Sequence, residues 1–323
     1  MVTAVIAVLA AASTGVERYV RGIFIRRQGI SQGGAVLIGV LGSKNAMGSL
    51  CALTITSSIT VFLSQAQPKL LRQASIFVGG LGLLILLRTF ATGAALSVAI
   101  FVAVFSGLAC ATRMSPSARF LGFLAVFAIL APLWFIRGDI EAGYNWFITD
   151  VLNKDAGLTG RAYLWHHADI LIEAKPILGH GYRSIWMGNS AETIGLLRWA
   201  KLPSGIGFNF HNTFKECLVD FGYVGAAAIF ITLGIGLFHM VQQAVKSPLR
   251  VEVIFLAAMG IVTVIRSYTE NQIGAFSEGS LLTFGVSAFG FMFWAARQTR
   301  TSRSRGQIPL RPVSEPAQPM RTR

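Results

Sequence analysis

The sequence predicts an all-α fold, a polytopic bundle of about seven to eight transmembrane helices with one large hydrophilic loop that contains short helices. Three observations predict it. Hydrophobic residues make up 53% of the 323-residue chain and charged residues only 13%, about half the charge of a soluble domain. Apolar runs of about 17–25 residues recur, each long enough to cross a hydrocarbon core of about 30 Å. Those runs are continuously apolar rather than alternating, which selects helices over barrel strands.

Residues 1–12 are apolar but too short to span, and no basic segment precedes them, so they read as the end of a longer helix rather than a signal peptide. A polar, basic segment follows at 13–45. Spans are expected at about 46–64, 74–88, 93–112 and 119–136, then at about 214–238, 252–267 and 278–296. The chain thus divides into membrane helices at 1–136, a large outer loop at 137–212, further membrane helices at 213–296, and a disordered basic tail at 297–323.

The net charge of +14 would suggest a nucleic-acid partner in a soluble protein, but here it follows the loops. The tail and the connections with Lys69 and Arg72, Arg113 and Arg119, and Lys246 and Arg250 are basic and expected inside; the 137–212 loop, with seven cationic and seven acidic residues, is expected outside. The same count places the basic 13–45 segment outside too. Either a helix is miscounted there, or the segment is an outward surface for an anionic ligand. Cys51, Cys110 and Cys217 lie in or beside spans without metal-like spacing and read as core residues. Neither a metal motif nor a nucleotide-binding loop is present.

Within the loop, residues 160–175 read as an amphipathic helix, capped by Thr159 and stopped by Pro176. Arg161, Trp165, Ala168 and Ile172 share one face; His166, Asp169 and Glu173 share another. Arg161 is then a cation on the packed face. It reads either as a structural arginine paired with a loop carboxylate or as a guanidinium fork for phosphate. Pro176 to Arg183 is a glycine-punctuated turn, read as a plain turn or as backbone approaching a ligand.

His211 and Asn212 mark the point where the loop enters a span. Asn212 is a good N-cap, so His211 sits at the positive end of that helix, where a neutral, proton-accepting imidazole is favoured. Free N–H groups at the same end suit a phosphate. The alternative is a histidine that only anchors the loop. Arg88 interrupts the apolar run from Ala74 to Ala111, and Glu216 lies one turn inside the span that starts at Asn212. Ionisable groups at such depth are functional candidates; a structural Arg88–Glu216 pair is the alternative.

These residues resemble the O-antigen ligase and polymerase superfamily, in particular its exopolysaccharide production branch of polysaccharide polymerases. Ser43-Lys44-Asn45-Ala46-Met47-Gly48 looks like the family's His-Lys-Asn-x-Leu-Gly start of a span, and Leu87-Arg88-Thr89 like its Ser-Arg-Thr break between spans. Thr159-Gly160-Arg161 with Trp165, and later Gly179-His180-Gly181, look like the start and turn of its large loop; His211-Asn212 with Glu216, Gly222 and Gly225 resembles the signature that closes it. The order and membrane placement of the four carry the likeness, over roughly residues 20–295. Ser43 replaces the usual His, Lys215 an apolar residue, and Asn209 a second His of ligase-like members, which puts a two-histidine mechanism in doubt. The chain also has fewer spans than family members usually have.

The resemblance implies a metal-independent, cofactor-free glycosyltransferase of the bacterial inner membrane with its large loop in the periplasm. The donor would be an oligosaccharide on undecaprenyl pyrophosphate, and the acceptor a hydroxyl of another lipid-linked repeat unit. His211, Arg161 and Arg88 would be catalytic, with Lys44, His180, Arg183, Asn212 and Glu216 binding substrate. Implied partners are the acceptor glycan, inner-membrane lipids, a chain-length regulator and export proteins, and no nucleic acid. Two other readings stay open: a ligase that moves a finished glycan to lipid A core or another acceptor, and a non-catalytic membrane subunit of an export system.

Overall fold

The computed structural model describes residues 25–27, 35–37, 44–135, 160–188, 190–202, 204–246, 250–274 and 278–306. Among them the chain is helical apart from one small ribbon, in which β1 (Ile25–Arg27) pairs antiparallel with β2 (Ala35–Leu37). Of the basic 13–45 segment, Ile25–Arg27 and Ala35–Leu37 are strand and Lys44 and Asn45 begin the first helix of the bundle, while the rest lies outside the described residues; β2 packs beside the first two helices.

Those helices are α1 (Lys44–Leu63), α2 (Lys69–Thr89), α3 (Thr92–Thr112) and α4 (Pro116–Phe135). α5 (Arg161–Ala174), α6 (Ser184–Met187) and α7 (Ala191–Ala200) belong to the large loop. α8 (Thr213–Lys246), α9 (Val251–Arg266) and α10 (Glu278–Gly306) complete the order. Five of the described helices (α1, α2, α3, α8 and the Gly279–Gln298 part of α10) are long and apolar enough to cross a membrane, so this is a multi-pass membrane protein. α4 runs where the fourth span is expected. α9 has only 16 residues, about 24 Å of helix. α10 continues to Gly306, so the chain is still helical beyond Arg297, where a disordered tail is expected from the sequence; the rest of that tail, residues 307–323, lies outside the described residues.

Backbone groups in lipid must be satisfied internally, and so must hydroxyls in a buried span. In α1 the side chains of Thr54, Thr56 and Thr60 each donate to the carbonyl four residues earlier, so this polar helix is self-sufficient at the centre of the bundle. Small residues let the helices close on one another, as the glycines within spans suggest. A Cβ on Gly82 of α2 would lie 3.2 Å from Ile55 of α1, and one on Gly236 of α8 would lie 2.7 Å from the Ser287 backbone of α10.

Three apolar cores result. One joins α3, α8, α9 and α10 around Phe101, Met240, Ala257 and Val286. A second joins α1, α2 and the start of α3 around Met47, Cys51, Leu86 and Ala94. The third lies within the loop, where Leu164, Ala168 and Ile172 of α5 meet Trp186, Leu196, Phe210 and Val219. The described part of the large loop, from Gly160 onward, is thus a small packed unit seated on the first turns of α8.

Candidate active site

α5 has the predicted amphipathic form. Ala168 and Ile172 are buried, Arg161 and Trp165 half-buried, and His166, Asp169 and Glu173 exposed. Gly160 rather than Thr159 stands at its N-cap; Thr159 lies outside the described residues. Trp165 donates from Nε1 to the Phe210 carbonyl (2.9 Å), which fixes α5 against the segment just before His211.

At the start of α8, the side chain of Asn212 accepts the Lys215 N–H (3.1 Å) and caps the helix as expected. His211 precedes it in a left-handed conformation (φ 52°), one that histidine adopts more readily than most side chains. Its N–H is held by Oδ1 of Asn209 (2.8 Å). The helix end is less open than its sequence implies, because the Thr213 N–H already donates to the Ser267 carbonyl (2.8 Å) and the Lys215 N–H to Asn212.

The carboxylate that completes the cluster is Glu270, in the turn after α9. Its Oε1 lies 2.8 Å from Nη2 of Arg161, and its Oε2 lies 3.3 Å from Nδ1 of His211. The three side chains are 16%, 24% and 31% exposed for Arg161, Glu270 and His211, so the group is largely shielded yet reachable from one side. Burial pushes the Glu270 carboxyl up, but the His211 hydrogen bond and the charges of Arg161, His211 and Arg266 outweigh it and hold the carboxyl below its ordinary value. Glu270 is therefore an anion at neutral pH, and Arg161 is the arginine paired with a loop carboxylate. The sequence did hold a signal for Glu270, since the loop between the spans expected at 252–267 and 278–296 falls on the same side as the large loop, and Glu270 is the first carboxylate in it.

The other candidates are placed as follows. Arg88 is exposed at the end of α2, and no described residue bonds to it; the Arg88–Glu216 pair is not formed. Glu216 is buried instead, accepting from Nε1 of Trp186 and the Phe210 N–H (both 2.8 Å), so both its oxygens serve the loop domain. Nη2 of Arg183 donates to the carbonyls of Gly205 (3.2 Å) and Phe208 (3.1 Å), and Nε2 of His180 meets the Leu171 carbonyl at 2.8 Å. Lys44 is half-buried at the start of α1. Nearby, Ser49 of α1 accepts from Nη2 of Arg266 (2.8 Å), which links this end of α1 to the Glu270 turn. Lys215, one of the departures from the family pattern, pairs with Asp169 of α5.

The glycine turn after α5 has a different task from a ligand loop. α8 breaks at Gly222 (φ 62°, ψ −172°), which frees carbonyls before the break and N–H groups after it. The turn takes up both sets. His180 and Gly181 donate to the carbonyls of Val219 (2.8 Å) and Asp220 (2.9 Å), while Tyr223 and Val224 donate to those of Pro176 (2.7 Å) and Ile177 (3.2 Å). A Cβ at Gly179 would fall 2.6 Å from the backbone of Asp220 and Gly222, so glycine is required for the two main chains to meet.

Comparison with known proteins agrees with the resemblance read from the motifs. Residues 77–230 match the family described as O-Antigen ligase. Over 281 residues the chain is 28% identical to the exopolysaccharide production protein ExoQ of Rhizobium meliloti (strain 1021), an alignment that covers 85% of this chain and 61% of that protein. The chain thus spans about three-fifths of the length of this curated relative. It is a multi-pass membrane protein that resembles the O-antigen ligase family from α2 into α8, where Arg88, Arg161 and His211 all lie.

Proposed function

We propose that this protein is a polysaccharide polymerase of the bacterial inner membrane, with its large loop in the periplasm. It transfers glycan from an undecaprenyl-pyrophosphate donor to a hydroxyl of a lipid-linked acceptor repeat. The likeness to a protein named for exopolysaccharide production favours this over a ligase acting on lipid A core, although the matching family is described by its ligase. Spans hold the two lipids, and the loop domain holds the sugars. The observation that supports it best is the meeting of a guanidinium and an imidazole in a half-shielded cluster beside the end of a span.

In the transfer, the acceptor oxygen attacks the anomeric carbon of the donor. The new glycosidic C–O bond forms as the bond to the pyrophosphate oxygen breaks, and the electron pair leaves with the lipid pyrophosphate. His211 takes the acceptor's proton. Arg161, through the N–H groups not turned to Glu270, and Arg88 stabilise charge that builds on the leaving phosphate. The reaction needs no cofactor. Lys44, His180, Arg183, Asn212 and Glu216 shape the surrounding surface; for the last four, support of the loop backbone is the larger part of that task.

The test is glycan extension in membrane vesicles with a lipid-linked donor. His211→Ala should insert normally and lose about 10²–10⁴-fold in rate, while His166→Ala, on the exposed face of α5, should stay active. Arg161→Lys should also lose rate, because a point charge cannot reproduce the planar fork. Full activity in His211→Ala would remove the base, and no extension by the unaltered chain would remove the enzymatic reading.

A further inference from the structure

The Glu270 turn is the best-anchored part of the cluster. Its own N–H donates to the Arg266 carbonyl (2.8 Å), and its carbonyl accepts from Oγ1 of Thr213 (2.8 Å). That hydroxyl in turn accepts the Gln272 N–H (2.8 Å), and the Thr213 N–H reaches Ser267 (2.8 Å). Thr213 lies two residues after His211. The turn that carries the carboxylate is therefore bonded to the strained start of α8 that carries the imidazole. Each carboxylate oxygen has a different partner, Arg161 on one and His211 on the other, which fixes the plane of the group as well as its place.

An ionised carboxylate can only accept, and a neutral imidazole has one N–H and one lone pair. With Nδ1 of His211 facing Oε2 of Glu270, the proton must sit on Nδ1; the reverse tautomer would set a lone pair against an anion. We propose that Glu270 is a positioning residue that fixes this tautomer, so that Nε2 of His211 is the atom that takes the acceptor's proton. The Phe208 ring stands edge-on to the imidazole at 6.1 Å and 82°. As the imidazolium forms during transfer, the carboxylate already in place stabilises it without moving, which is where preorganised charge acts on a rate. Glu270 touches neither substrate in this scheme; it acts through His211, and the role rests on the reading of His211 as the base.

Two measurements on the full chain test it. The first is nitrogen NMR of isotope-labelled histidine in detergent micelles, with the His211 signals identified by their loss in His211→Gln. The unaltered chain should show the Nδ1–H form and Glu270→Ala the Nε2–H form. The second is extension kinetics in vesicles. Glu270→Ala should lower kcat by about 10²-fold, the low end of what a positioned base contributes, with KM for the lipid-linked donor unchanged. Glu270→Gln, whose amide oxygen still accepts from Nδ1, should retain the Nδ1–H form and an intermediate kcat. The same His211 tautomer in the unaltered chain and in Glu270→Ala would overturn the proposal, as would Glu270→Ala at unaltered kcat beside an inactive His211→Ala. Full activity in His211→Ala would instead strike the base reading, and Glu270's role with it. A Glu270→Ala chain too unstable to insert leaves the kinetic test to Glu270→Gln, where an unaltered kcat overturns the role.

Discussion

A guanidinium and an imidazole that share one carboxylate should respond to acid together. The Glu270 carboxyl is held below its ordinary value by His211 and Arg161, so the tie is worth most where an unfolded-state glutamate, at about 4.3, is already ionised. The stability it gives is therefore fully present above that pH and is lost as pH falls through the lower folded value. In detergent, the melting temperature of the native chain should exceed that of Glu270→Gln at about pH 5 and above. The gap should close below about pH 4. A gap that persists after the carboxyl has been protonated would mean that the ionised tie is not its source. From the sequence, Arg161 was legible because helical period put a cation on a packed face, and His211 because Asn212 announced the helix start. For Glu270 only the side of the membrane could be read; its contact with Arg161, 109 residues away through the return of the chain after α9, is one that no local pattern encodes.

At the scale of elements, the splint between the 176–181 turn and the break in α8 is the feature on which the loop domain depends. Gly222 holds a backbone conformation open essentially to glycine alone, and any Cβ there would overlap the Ile177 carbonyl. Gly222→Ala should destabilise the chain by at least about 2 kcal/mol and lower its melting temperature. Gly80→Ala in α2, where a Cβ meets open space, should be neutral or slightly stabilising; equal effects would dismiss the splint. The helix over 161–174 and the cap at Asn212 could be read from residue type and period. The break could not, because Gly222 inside a long apolar run looks like one more packing glycine until a second segment is seen to supply its hydrogen bonds.

For the whole molecule, the expected topology puts the loop domain outside and the end of α10 inside, from the cationic residues beside the span ends. A phosphatase reporter fused at Gly195 should be active and one fused at Arg300 silent; the reverse pattern would set the Arg161–Glu270–His211 cluster on the wrong face for a lipid-linked donor. The multi-pass helical bundle was legible because lipid demands long apolar runs and helical backbone. The seating of the loop domain was not, since it rests on buried polar ties such as Glu216 to Trp186 and on the Glu270 turn.

The break at Gly222 also sets a waterline. Tyr223 to Lys246 is about 36 Å of helix, enough by itself for a hydrocarbon core of about 30 Å, so in the proposed topology Glu216 and Asp220 need not enter the lipid. Tyr223 and Val224 are exposed there, and bonded beside them the turn carries Ile177 and Leu178 at 65% and 74% exposure. In the proposed topology those two side chains ride at the surface of the outer leaflet as a float, which would keep His211, eleven positions before the break, within a few turns of the headgroups. A fluorophore on Leu178→Cys should be quenched by brominated lipid and spared by aqueous iodide, with the opposite result at Glu173→Cys.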